Sequence, residues 1–268
     1  MMKKLVSAPY LLWMAIFIIV PLIMVAYFAL TDTNGAFTLD NLAAVSQYSN
    51  IFIRSIWLAA VATVICLIIA YPLALILANT DKSYQSTVLM IVMLPMWMNF
   101  LLRTYAWMTL LGNNGLINSF FGLFGLGPFK MLNTSGAVVL GMVYNFLPFM
   151  VLPIYNVLIK IDRNVINAAR DLGAYSVQTF WKVIFPLSIP GVISGITMVF
   201  VPALTTFVIS DLLGGGKILL IGNVIEQSFK QNSNWHVGSG LSLVLMVFII
   251  ASMALVAKYD KEEGGSAF

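Results

Sequence analysis

Residues 135–159 read SGAVVLGMVYNFLPFMVLPIYNVLI, with no charged side chain, and lead directly into KIDRNVINAARDLGAYSVQTFWKVIFP at 160–186. The first stretch is long enough to cross a hydrocarbon layer of about 30 Å, which takes about 20 apolar residues in a helix. The second is polar and too short for a domain, yet it carries helical periodicity. Asp162 suits a helix N-terminus, and Val165, Ile166, Ala169 and Leu172 are spaced as the apolar face of a helix over about Asp162–Leu172. Gly173 can take the left-handed conformation that ends such a helix. Ser176 is placed to cap a second short helix, and Pro186 to stop it. The small side chains of Ala168 and Ala169, with Gly173, leave room for another backbone to approach closely.

The rest of the chain agrees with a membrane reading. Of 268 residues, 60% are hydrophobic and 9% charged, with a mean hydropathy of +0.95. A soluble domain carries about 25% charged residues. Six stretches are long and apolar enough to span: Pro9–Leu30, Ile56–Ala78, Val88–Leu111, Ser135–Ile159, Pro190–Leu213 and Val237–Lys258. The first follows Lys3 and Lys4 but is too long for a signal sequence and lacks a small-residue cleavage pattern. The expected fold is therefore all-α, one membrane domain over 1–268, with Lys160–Ile189 as its long polar loop.

Nine of the fourteen basic residues fall on the side of that loop and of both termini, and four on the other, with Arg103 inside the third span. The positive-inside rule then makes the loop and both termini cytoplasmic. The net charge of +4 is scattered between apolar runs, as topology requires, and forms no nucleic-acid patch. A lone Cys66 and a lone His236 exclude a disulfide framework, a cysteine metal cluster and the two-histidine metalloprotease motif. No cofactor or metal is called for. Ser239 in Val237-Gly-Ser-Gly240 lacks the surroundings of a hydrolase nucleophile. Gly214-Gly-Gly-Lys217 lacks the spacing of a phosphate-binding loop, and Ile218 stands where Ser or Thr is needed.

The polar loop resembles the coupling loop of permease subunits of bacterial ABC importers, whose pattern is Glu-Ala-Ala, three residues, Gly, nine residues, then Ile-x-Leu-Pro. The matching positions are Asn167, Ala168, Ala169, Gly173, Val183, Phe185 and Pro186, with Asp171 lying between the alanine pair and the glycine. Asn167 replaces the family's glutamate. Leu94-Pro-Met-Trp97, Leu102-Arg-Thr-Tyr-Ala-Trp107, Phe207–Lys217 and Leu220–Gln227 resemble the spermidine/putrescine branch of these permeases. The resemblance implies a type I importer architecture in the cell membrane. It also implies two copies of a partner ATPase docking on Asn167–Pro186, a second homologous permease, an extracytoplasmic binding protein and a polyamine substrate. A secondary transporter would instead need coupling carboxylates near the middle of the membrane, and the middles of all six spans lack acids.

Ionisable groups within spans are costly and mark candidate sites. Arg103 and Asp211 both fall toward the outer ends of their spans, and two readings stand: they pair with each other, or Asp211 receives a cationic substrate. Trp97, Tyr105 and Trp107 could then add cation–π attraction of about 0.5–2 kcal/mol each, or serve as an interfacial belt. Glu226 in the last outer loop is a further candidate. Pro95, Pro148, Pro153 and Pro202 within spans favour kinks.

Overall fold

The computed structural model describes residue 10, residues 12–230 and residues 234–264. Lys3, Lys4 and Pro9, used above, lie outside the described residues. Among those described there is no strand, only an isolated bridge between Thr31 and Phe37. Five helices are long and apolar enough to cross a membrane, and a sixth crossing arises if one bent helix pair counts as a single span.

The spanning elements are α1 (Leu12–Leu30), α2 (Ser49–Asn79), the bent pair α3 (Lys82–Trp97) and α4 (Phe100–Leu111), α6 (Ser135–Leu158), α8 (Ser176–Thr205) and α11 (Trp235–Gly264). Shorter helices fill the connections: α5 (Leu116–Gly122), α7 (Arg163–Asp171), α9 (Val208–Gly214) and α10 (Ile221–Lys230). The lead-in to α2 begins at Asp40 and passes through a 3₁₀ turn at Ala44–Tyr48. Before it, Asp32 accepts hydrogen bonds from the backbone N–H groups of Asn34 (2.9 Å) and Ala36 (2.8 Å). The Ala36 bond holds its carboxyl below the usual range.

At the centre, α2, α6 and α8 pack together. Lipid is as apolar as leucine, so membrane helices associate through close van der Waals contact, which small residues permit. Accordingly α2 turns Ala59, Ala62, Cys66, Ala70 and Ala74 inward, all 0% exposed. On α8, a Cβ at Gly191 would lie 2.9 Å from the Pro153 carbonyl oxygen and 3.1 Å from the Ile154 Cα. On α6, a Cβ at Gly141 would meet Ile209 at 2.8 Å, which seats α9 against it.

Two expected spans are broken. Val88–Leu111 is expected as one span with a kink favoured at Pro95; the bend is far larger, Phe100–Gly122 turning 87° away from Ser83–Trp97. Side chains close much of the hinge, although Arg103 Nε is buried without a partner among the described residues. Met98 is extended, the Asn99 side chain accepts from the N–H groups of Leu101 (2.9 Å) and Leu102 (3.3 Å), and Arg103 Nη1 donates to the Pro95 carbonyl at 2.7 Å. Pro190–Leu213 likewise stops at Thr205 and restarts at Val208.

The polar loop also differs from expectation at its second helix. Ser176 makes no side-chain cap, and the helix it opens does not stop at Pro186 but runs to Thr205. The reason is a π-helical turn at Phe180–Ile184, in which the Phe185 N–H reaches back to the Phe180 carbonyl. The wider turn places Pro186 where the helix needs no donor from it and gives its ring room.

Gly191→Ala drives a methyl into the α6 backbone and is expected to destabilise by about 1–3 kcal/mol, as overpacking does. A lowered thermal midpoint of the detergent-purified protein checks this, and Gly122→Ala, where an added Cβ meets nothing within 4 Å, serves as a comparison.

Candidate coupling surface and re-entrant polar site

The Asn167–Gly173 region is built by two well-formed helix ends. The Asp162 side chain accepts from the Asn164 N–H at 2.9 Å and so caps α7. At the other end the Gly173 N–H donates to the Arg170 carbonyl (2.9 Å) and the Ala174 N–H to the Ala169 carbonyl (3.0 Å), with Gly173 at φ +85°. This paired closure requires a left-handed residue, hence glycine. Among the described residues, nothing beyond Gly173's own chain neighbours lies within 4 Å of where its Cβ would be, so the space above it is open.

The apolar stripe of α7 divides. Ile166 and Ala169 are half-buried against the protein, whereas Val165 is 47% and Leu172 90% exposed. Leu172 thus stands bare beside Arg170 and Asp171. Asn167, Arg163 and Arg170 line a cleft of about 620 Å³ with Asn79 and Gln85. The far end of the motif points the other way: Val183 and Phe185 are half-buried, and the Phe185 ring lies 5.8 Å from that of Tyr71. Pro186 is exposed.

At the opposite end of α8, α9 and α10 fold back into the protein around Asn223, which is fully buried. Its Oδ1 accepts from the Ser210 hydroxyl and from the Leu220 N–H (2.9 Å), and its Nδ2 donates to the Phe207 carbonyl (3.1 Å) and to Asp211 Oδ1. Ser55 on α2 accepts from the Ile221 N–H at 2.8 Å, which ties this turn to the core. A Cβ at Gly222 would fall 2.6 Å from the Thr205 carbonyl oxygen, so only glycine fits.

Asp211 is exposed and pairs with Asn223, not with Arg103. Arg103 instead is 7% exposed and satisfies the end of α3, where a cation also complements the helix dipole. That removes the Arg103–Asp211 pair as a reading. Glu226 bonds Lys230 at 2.8 Å and borders a cavity of about 400 Å³ lined by Thr205, Phe207, Ile225, Phe229 and Leu245. Asn223, which bonds Asp211, stands three residues before Glu226 on α10, so the helix places the two carboxylates on neighbouring turns. The aromatic candidates lie elsewhere. Trp107 packs edge-on to Tyr144 at 5.3 Å in an apolar groove with Trp57, while Trp97 and Tyr105 are exposed on α3 and α4. Among the described residues no cluster could hold a metal ion.

A family of binding-protein-dependent transport system inner membrane components matches residues 70–261. The chain belongs to this family. The permease is 37% identical over 257 residues to the spermidine/putrescine transport system permease protein PotB of Haemophilus influenzae, covering 92% of this chain and 90% of that one. It is 36% identical over 254 residues to PotB of Escherichia coli, covering 91% and 92%. It is 31% identical to the inner membrane ABC transporter permease protein YdcU of Escherichia coli, covering 82% and 75%. Its fold is that of a bacterial ABC transporter involved in alginate import, at a TM-score of 0.79 and 18% identity, covering 97% of this chain and 95% of that one. A second structure, of a bacterial alginate transporter with an alginate-bound periplasmic protein, matches at 0.77 and 17%, covering 95% and 92%. The permease is thus a multi-pass membrane protein of type I importer fold, as the resemblance implied.

The residue that sequence reasoning passed over is Asn223. It stood inside the quoted Leu220–Gln227 segment, and the signal was available: a lone amide between Gly222 and Val224 in an apolar run needs partners. Asn223→Ala takes from the buried Leu220 N–H its acceptor, while the Ser210 hydroxyl and the Phe207 carbonyl keep each other, and is expected to cost about 1–3 kcal/mol. Lower thermal stability and faster proteolysis in the 206–223 segment are the readout.

Proposed function

We propose that this chain, as one membrane domain over 1–268, is the permease subunit of an ATP-driven importer that carries polyamines of the spermidine/putrescine class into the cytoplasm. The observation that carries this is the 36–37% identity with PotB proteins along about nine-tenths of both chains. The distribution of basic residues supports placing α7 and both termini on the cytoplasmic side. In that orientation the bare Leu172, the open space above Gly173 and the small Ala168 form the surface on which an ATPase subunit docks. A second permease and an extracytoplasmic binding protein complete the assembly, and ATP is hydrolysed by the partner.

The substrate side is Asp211 and Glu226. A polyamine carries several ammonium groups, and two neighbouring carboxylates that lack a buried cationic partner meet that charge pattern. Glu226 is engaged by Lys230 only through an exposed i,i+4 pair, which is worth little and is easily exchanged. Phe207 and Phe229 in the adjoining cavity supply ring faces for the aliphatic and cationic parts of such a ligand.

In vesicles carrying the full assembly and binding protein, labelled spermidine should accumulate with ATP. Gly173→Trp should abolish both uptake and ATPase association, whereas Gly173→Asn, which tolerates positive φ, should retain most of both. ATPase association that ignores Gly173→Trp would overturn the docking surface. Association that depends on Gly173 without spermidine uptake would point to another small solute. For the substrate side, Asp211→Asn with Glu226→Gln should lower uptake by about tenfold, the equivalent of about 1.4 kcal/mol, without changing ATPase association.

A further inference from the structure

We infer that the Tyr71 hydroxyl, acting through Ser188, is the positioning contact that carries movement of the α7 loop into the membrane core. The inference rests on the reading of α7 as the ATPase docking surface. Tyr71 of α2 and Ser188 of α8 are 8% and 0% exposed, and their hydroxyl oxygens lie 2.7 Å apart. Ser188 Oγ donates to the Phe185 carbonyl at 2.8 Å, so its hydrogen is committed and the proton between the two hydroxyls comes from Tyr71. A directed chain therefore runs from α2 to the backbone of α8 immediately after the π-turn.

Three features make this the point where movement is either passed on or lost. From Gly191 onward α8 is locked to α6 by backbone-to-backbone contact and cannot slide alone. Before it, the π-turn at Phe180–Ile184 is a wider and weaker stretch of helix, able to absorb displacement arriving from α7. The rings of Phe180, Trp181 and Phe185 pack on one another along that stretch. The Tyr71 ring meets Phe180 edge-on at 5.7 Å and Phe185 at 5.8 Å, while its hydroxyl holds the first turn beyond the weak stretch. On the other flank Tyr155 of α6 donates to Gln85 Oε1 of α3 at 3.1 Å, so the same ends of α2 and α3 are also held to α6. A push on α7 that reaches Ser188 thus moves α2, α6 and α8 together; without the hydroxyl link it is spent in opening the π-turn.

The experiment uses the reconstituted assembly with its binding protein and reads two rates, spermidine uptake and ATP hydrolysis. Tyr71→Phe keeps the ring packing and removes only the hydroxyl, and Ser188 stays satisfied by the Phe185 carbonyl. The expected result is an uptake-to-ATP ratio lowered about fivefold, the worth of one buried hydrogen bond, with assembly and ATPase rate unchanged. Ser188→Ala should match it, the double variant should be no worse than either, and Ser188→Thr should restore the ratio. A wild-type ratio in Tyr71→Phe overturns the inference. So does loss of assembly in Tyr71→Phe, which would make the contact structural only. If Gly173→Trp leaves ATPase association intact, the docking surface itself is at fault, and that result is read independently of the ratio.

Discussion

A backbone carbonyl or amide left open in hydrocarbon costs several kcal/mol, because no water is there to bond it. This protein nevertheless opens two of its spanning helices, between Trp97 and Phe100 and between Thr205 and Val208. Both breaks are closed from within the protein. Asn99 and Arg103 serve the first, Asn223 serves the second, and Ser55 ties the returning α10 segment to the core. These few polar side chains allow irregular backbone at membrane depth, and irregular backbone is what lets α9 and α10 bring Asp211 and Glu226 together at one end. The polar groups that look like functional candidates by cost alone are thus of two kinds: those used up in holding the breaks, and those left facing outward.

The opposite end is organised by contact distance. The inward stripe on α2 and the glycines of α8 bring three helices into close contact. A helix continuous from Ser176 to Thr205 then links the polar loop to the far side of this unit. The π-turn is the one weak stretch in that link. The motif divides accordingly: Ala168, Leu172 and Gly173 are exposed, while Val183 and Phe185 are half-buried in and beside the π-turn.

Much of this was readable from residues alone. Span number, the all-helical class and the Gly173 helix stop follow from hydrophobic length and from the need for a left-handed residue, both local properties. The broken spans were not readable, since Pro95 and Pro202 announce a kink without its angle, and an 87° turn depends on whether Asn99 and Arg103 find their partners. Ser176 and Pro186 misled for a related reason. Their preferences are those of helix ends, but a π-turn removes the conflict that would have made Pro186 a stop. Arg103 and Asp211 were rightly singled out as expensive. Their partners, a carbonyl eight residues back and an amide twelve residues on, are set by the two bends and not by spacing.

The Arg103–Pro95 contact also bears on how the chain is made. Its acceptor exists only once the helix has bent, because in a straight span the Pro95 carbonyl faces its own helix. A guanidinium within an apolar span raises the cost of partitioning into lipid, by up to about 2.5–3.5 kcal/mol at the centre and by less toward the outer end, where Arg103 lies. During synthesis this segment therefore meets the bilayer as a poor candidate for independent insertion. It becomes a comfortable resident only after α3 and α4 have separated and α6 is present beside them, so the order of assembly is written into a single hydrogen bond.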